Sequence, residues 1–138
     1  MGSRPLILLD THCLLWLDQA VEQMSRRARR LVDAASKSGD LGVSAISFWE
    51  VAMLVAKKRL RMSRPLVVWR REWLQQGVVE LPVTGAIGIA AAFLADFHAD
   101  PADRWIVATA RELDAILLTA DDKILAWPGR LDRQDPRV

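Results

Sequence analysis

Cysteine occurs once in the 138 residues, at Cys13, and tyrosine not at all. A lone thiol excludes an internal disulfide framework and any zinc site built on cysteines. Long apolar runs are missing too. The longest, residues 86–95, is about half of the roughly 18 residues a membrane span needs, and Gly88 interrupts it. There is no G-x-G-x-x-G stretch to cradle a dinucleotide, no internal repeat and no Pro- or Gly-rich linker. The opening Met-Gly-Ser-Arg-Pro leads into Leu6–Leu9 and reaches Asp10 too soon for a secretory segment. Gly2 and Ser3 read as a cloning remnant, so residues 1–4 are set aside. The expectation is one cytoplasmic domain over 1–138 with no membrane partner.

What is present is ordinary globular material, with 51% hydrophobic and 26% charged residues. Nineteen Lys and Arg against seventeen Asp and Glu leave a net charge of +2, which by itself makes no case for nucleic acid. If several acids are gathered into one site, however, the rest of the surface becomes distinctly basic.

Leu6–Leu9 is a continuous apolar run ending in Asp10-Thr11, the pattern of a strand buried on both faces. A short helix is expected from Cys13 to Asp18. Ser25 reads as the N-cap of a second helix carrying Ala28, Leu31, Val32 and Ala35 at helical spacing, closed by Gly39. Leu41–Ser44 is a short strand. Ser47-Phe-Trp-Glu50 has the spelling of a capping box opening a helix to about Leu60. Pro65 fits the first turn of a helix through Trp69 and Trp73. Gly77 ends it before a strand at Val78–Val83. Thr84 caps a small-residue helix at 86–95, and Asp100-Pro101 opens another along Ile106, Val107, Ala110 and Leu113. Ile116–Thr119 is a fourth strand, followed by Asp121-Asp122 and a short helix to Trp127. Residues 128–138 are polar, either a tail or an edge strand. Alternating strands and helices predict an α/β domain around a mostly parallel sheet.

Two strands run into acids, at Asp10 and Asp121, and ligands in open parallel sheets bind beyond the carboxyl ends of strands. Glu50 and Asp103 fall in the first turns of their helices, which start at that same end. The four can therefore converge although they are far apart in sequence. Each also has a purely structural reading: strand-end Asp residues bind loop amides, Glu50 completes a capping box, and Asp103 is a first-turn acid beside the N-cap Asp100. Converged carboxylates repel unless a cation neutralises them. An all-oxygen set suits Mg²⁺ or Mn²⁺, which lower the pKa of a bound water and stabilise charge on a phosphate.

The stretches LLDTHCLLWL at 8–17, SAISFWEVAMLVAKKRL at 44–60, HADPADRWIVATA at 98–110 and LLTADDKI at 117–124 together resemble PIN-domain nucleases, most closely the VapC-type toxins of bacterial toxin–antitoxin pairs. The resemblance covers nearly the whole chain in order. It implies a three-layer fold whose parallel sheet runs 3-2-1-4-5 between helices. It implies a metal-dependent endoribonuclease with Asp10, Glu50, Asp103 and Asp121 as the catalytic and metal-holding acids for one or two Mg²⁺ or Mn²⁺ ions. Thr119 and Thr11 would support them through their hydroxyls. Asp100 reads as an N-cap and outer group, and Asp122 could share the role of Asp121. It further implies an RNA substrate, a cognate VapB-type antitoxin and a homodimer.

Arg26, Arg27, Arg29 and Arg30, with Lys57, Lys58, Arg59, Arg61 and Arg64, are candidate phosphate contacts or simply solvated helix faces. Arg26, Arg30, Lys57 and Lys58 are carried as RNA contacts, with Trp16 as a stacking platform. Trp49, Trp69, Trp73 and Trp105 read as core or partner-groove residues. His12 and His98 are a minority reading as general bases, and Cys13 as a small buried residue. A phosphatase with an aspartate nucleophile would want a second Asp at position 12, where His12 stands. A non-catalytic RNA- or protein-binding module and a nuclease of RNA maturation remain as alternatives.

Overall fold

The computed structural model describes residues 5–138. The cloning remnant expected at Gly2 and Ser3 lies outside these residues. In chain order the elements are β1 (Ile7–Leu9), α1 (Thr11–Gln19), α2 (Arg26–Ser38), β2 (Leu41–Ser44), α3 (Ala45–Ala56), α4 (Leu66–Gln75), β3 (Val79–Leu81), α5 (Gly85–Ala92), α6 (Pro101–Glu112), β4 (Ile116–Leu118), α7 (Asp122–Leu125) and β5 (Arg133–Gln134). The five strands form one sheet in the order β3-β2-β1-β4-β5, every pair parallel.

The apolar run of β1 is explained by its place at the centre of the sheet. Leu8 aligns with Gly42 on one side and Leu117 on the other. Ile7 and Leu9 pack with Leu14, Val32, Val51 and Trp69 in one core. Leu8 turns to the opposite face and packs with Ile106, Val107, Leu117 and Ile124. Helices cover both faces, so neither set of side chains in β1 meets water. Gly88 admits a close helix–helix contact: a Cβ there would lie 2.9 Å from the Trp105 ring, which packs α6 against α5.

Several helix starts follow the sequence. Ser25, Thr84 and Asp100 each accept a backbone N–H three residues on, and Gly39 ends α2 with a left-handed φ of 77°. Other expectations need correction. Ser47 and Glu50 are not a capping box: β2 passes straight into α3, Ser44 caps it by accepting from Ile46 N, and Glu50 sits in the second turn. That helix also ends at Ala56 rather than near Leu60, with Lys58 in the left-handed region. Pro65 is the N-cap of α4, and α5 and β3 are shorter than expected. Within 128–138 the edge-strand reading holds, since Arg133 and Gln134 align with Leu117 and Leu118. Among the described residues no helix is long and apolar enough to cross a membrane.

Candidate active site

The sheet delivers its acids to one edge. Asp10 leaves the carboxyl end of β1 and caps α1, while Thr119 and Asp121 leave the carboxyl end of β4 beside it. Helix α6 carries the chain back to the start of β4, so Asp103 in its first turn lies at that same edge. Helix α3 packs on both α1 and α6, which sets Glu50 between Thr11 and the α6 start.

Asp10 is buried, at 2% exposure, and its two oxygens are separately held. Oδ1 accepts from Thr11 N at 2.8 Å and Oδ2 from Thr119 Oγ1 at 2.6 Å. Thr119 Oγ1 in turn accepts from Asp121 N at 3.1 Å. A relay thus runs from the Asp121 amide through one hydroxyl to Asp10. His12 Nε2 accepts from Ala120 N at 2.8 Å, and its Nδ1 stands 3.6 Å from Asp10 Oδ2. Through Nε2 the ring joins the chain after β1 to the chain after β4, while Nδ1 faces Asp10 from beyond hydrogen-bond range.

Thr11 Oγ1 donates to Glu50 Oε1 and lies 2.8 Å from Ser47 Oγ. One hydroxyl has one proton. Ser47 therefore donates to Thr11 and Thr11 to the carboxylate. On the other flank, Asp103 Oδ2 is 2.7 Å from His98 Nε2. Asp121 Oδ1 accepts from Lys123 N and Ile124 N as the cap of α7. One ligand atom each from His98, Asp103 and Asp121 fits within 4.8 Å of the others.

Electrostatics tie the flanks together. Burial, then the charges of Asp10, Asp103 and Asp100, push Glu50 up to about 7 against the opposing Thr11 hydrogen bond. Burial, then Asp10, Asp100 and Asp121, push Asp103 up to about 6 against the His98 contact. Among the described residues, no Lys or Arg side chain pairs with any of these four acids. The donor set, carboxylate oxygens held in place with one imidazole beside them, fits a divalent cation.

Not every sequence candidate faces this edge. Asp122 is 87% exposed in its side chain and pairs with Arg137 at 3.1 Å, so it points away from Asp121. Asp100 is exposed and accepts from Asp103 N, as an N-cap does. Trp16 is half-buried against the core and meets the His12 ring edge-on at 5.3 Å. Arg26, Arg30, Lys57 and Lys58 are exposed and make no ion pair among the described residues. Arg29 and Arg64 are engaged internally, the first on the Met24 and Val21 carbonyls and the second on Asp18 and Glu72. Cys13 is buried, which pushes its thiol well up, and Sγ donates to Leu118 O. Sequence reasoning passed over Ser47, and over Arg104, whose guanidinium bonds the carbonyls of Ala91, Leu94, Phe97 and His98. In the sequence the Ser47–Glu50 spacing signals only a cap, and no pattern singles out Arg104.

Residues 7–128 match the PIN domain family. The chain belongs to the PIN-domain family. Within it, this PIN domain is 32% identical over 119 residues to Ribonuclease VapC22 of Mycobacterium tuberculosis (strain ATCC 25618 / H37Rv), covering 86% of this chain and 88% of that one. Its fold is similar to a chain of the DNA-bound VapBC of Salmonella typhimurium, with a TM-score of 0.69 at 16% identity over 96% of this chain and 98% of that chain. It is also similar to a chain of VapBC2 from Rickettsia felis bound to a promoter DNA fragment, with a TM-score of 0.68 at 14% identity over 94% and 97%.

Proposed function

We propose that this PIN domain is a divalent-metal-dependent endoribonuclease, acting in the cytoplasm as the toxin of a VapBC-type pair. The observation that carries the reading is the convergence of Asp10, Glu50, Asp103 and Asp121 with no Lys or Arg among the described residues paired to them. Mutual repulsion in a partly buried site is costly unless a cation sits among the oxygens. Asp10, Glu50, Asp103 and Asp121 would hold Mg²⁺ or Mn²⁺, which would lower the pKa of a water and offset charge on the phosphate.

The chain's own residues set the geometry. Thr11 N and Thr119 Oγ1 hold both oxygens of Asp10, so its orientation is preorganised. The Ser47–Thr11 pair fixes Glu50 Oε1. Capping of α7 fixes Asp121 Oδ1 and leaves its second oxygen free. Exposed Arg26, Arg30, Lys57 and Lys58 carry the charge to hold an RNA backbone. Hydrolysis by an activated water leaves 5′-phosphate and 3′-hydroxyl ends.

The similarity to a protein named as a ribonuclease, and to chains from two VapBC complexes, supports the toxin assignment and an antitoxin partner. Trp49, 51% exposed in the same cleft as Glu50, gives an antitoxin an apolar surface next to one of the acids. Ile89 on α5 and Phe93 at its C-cap give a second apolar face suited to a homodimer.

The test is cleavage of total cellular RNA by purified protein with Mg²⁺ or Mn²⁺, alongside EDTA and the Asp10→Asn and Asp103→Asn variants. Discrete cuts that need the metal and vanish in both variants are the expected result. Wild type as inert as the variants across metals would overturn the enzyme reading in favour of a binding module.

A further inference from the structure

His98 lies outside the acidic quartet, yet its Nε2 stands 2.7 Å from Asp103 Oδ2. The imidazole stacks on Phe97, with centroids 4.3 Å apart and planes 24° from parallel. Its backbone is fixed as well. Arg104 Nε donates to His98 O at 3.0 Å, and the two terminal nitrogens bond Ala91 O and Phe97 O, each at 2.9 Å. A guanidinium bonded through all three of its nitrogens thus holds the loop between α5 and α6 in one shape, and that shape aims Nε2 at the acids.

A histidine that merely steadied Asp103 would need to meet Asp103 alone. Here donor atoms from a loop, the first turn of α6 and the cap of α7 come within 4.8 Å of one another, because Asp121 closes on the same spot. His12 is the contrast. Its Nε2 is taken by the Ala120 amide, and the nitrogen facing Asp10 stands off at 3.6 Å. Of the two histidines, His98 is the one whose ring nitrogen comes within hydrogen-bond distance of a carboxylate, at 2.7 Å against 3.6 Å for His12.

We infer that His98 Nε2 is a metal ligand together with Asp103 and Asp121, making this a mixed nitrogen–oxygen site for a first-row transition dication in preference to Mg²⁺. This rests on the metal-dependent reading above. Mg²⁺ takes oxygen ligands and keeps its waters, whereas imidazole is a good ligand for transition dications. One nitrogen among carboxylates therefore separates the two classes of ion. Arg104 and Phe97 act as positioning residues for that nitrogen.

The experiment uses the full chain, labelled with ¹⁵N-histidine and loaded with Mn²⁺ alone. Pulsed electron paramagnetic resonance reads whether a histidine nitrogen couples to the ion, and competition titration reads the Mn²⁺ and Mg²⁺ affinities. Wild type is expected to show the ¹⁵N coupling and His12→Asn to retain it. His98→Gln is expected to lose the coupling, together with about tenfold or more of Mn²⁺ affinity and much less of Mg²⁺ affinity. Should His98→Gln not fold, the wild-type signal and its persistence in His12→Asn still decide. Saturable Mn²⁺ binding without histidine coupling would overturn the assignment of His98 and leave the carboxylate metal site standing. No saturable binding of Mn²⁺ or Mg²⁺ to wild type would overturn both.

Discussion

Thr119 Oγ1 donates to Asp10 Oδ2 at 2.6 Å, joining the ends of β4 and β1 across 109 residues of sequence. Thr119 is fully buried and Asp10 nearly so. A buried carboxylate that loses a donor keeps its desolvation cost without the compensating bond. Thr119→Val preserves shape and removes only the hydroxyl. It should lower stability by about 2 kcal/mol in urea melts and slow cleavage, because Asp10 is no longer held and the Asp121 amide loses its acceptor. An unchanged melt would mean that the relay contributes nothing.

The raised acids dictate a pH dependence of opposite sign to that of salt-bridged carboxylates. Glu50 rises from 4.5 to about 7 and Asp103 from 3.8 to about 6 on folding. Between those limits the folded state keeps protons that the unfolded chain has released. With EDTA present, stability should therefore fall as pH rises from about 4 to about 7 and then level off. Both groups retain solvent contact, so the loss should be on the order of 1 kcal/mol, or a few degrees in Tm. Glu50→Gln should melt higher than wild type at about pH 8 in EDTA, and added Mn²⁺ should stabilise wild type more there than at about pH 5. Thermal melts across pH with and without metal check each sign.

Asp121 and Asp122 are neighbours with opposite surroundings. The first caps α7 beside Asp103 and the second pairs with Arg137 in solvent. Asp121→Asn keeps an acceptor for the cap and should cut the cleavage rate by about 100-fold or more. Asp122→Asn should leave that rate within about twofold, since a surface pair is worth little. Equal losses would show that the two acids share the role.

Much of the fold is legible because burial writes a simple pattern. Apolar runs such as Leu6–Leu9 and Ile116–Leu118 announce strands covered on both faces, and Ser25, Thr84 and Asp100 announce helix starts. The fifth strand leaves no such trace. It is two polar residues at the sheet edge, held by backbone bonds such as Thr119 N to Gln134 O rather than by a packed face. The Ser47–Glu50 box misleads for a related reason. Capping is decided by where the preceding strand stops, and Ser44 stops it, which frees Ser47 to turn inward to Thr11. That Asp10, Asp103 and Asp121 would share one edge is legible because strand ends and helix starts lie together in a parallel sheet, whereas Glu50, in the second turn of α3, reaches it by helix packing. The place of His98 is not, since it depends on how Arg104 gathers carbonyls from a loop with no periodicity.

The basic surface offers a separate test. Arg26, Arg30, Lys57 and Lys58 are exposed and make no ion pair among the described residues. Each one that contacts a single-stranded backbone adds about 0.7 to the slope of log affinity against log salt. Replacing Arg26 and Arg30 with Gln should weaken RNA binding and flatten that slope by about 1.4. Binding would be measured with Asp103→Asn to prevent cleavage. An unchanged slope would assign both to solvent.

The clustered acids serve water-driven hydrolysis of RNA under the proposed function, and the chemistry of the cut ends tests that claim most directly. Purified protein would be incubated with Mn²⁺ and an RNA in which it makes a discrete cut, and the fragments weighed by mass spectrometry beside the Asp10→Asn variant. The expected products carry 5′-phosphate and 3′-hydroxyl ends, with cleavage absent in Asp10→Asn. Fragments ending in 2′,3′-cyclic phosphate, formed with the acids intact, would contradict the claim by showing that the RNA's own 2′-hydroxyl is the nucleophile.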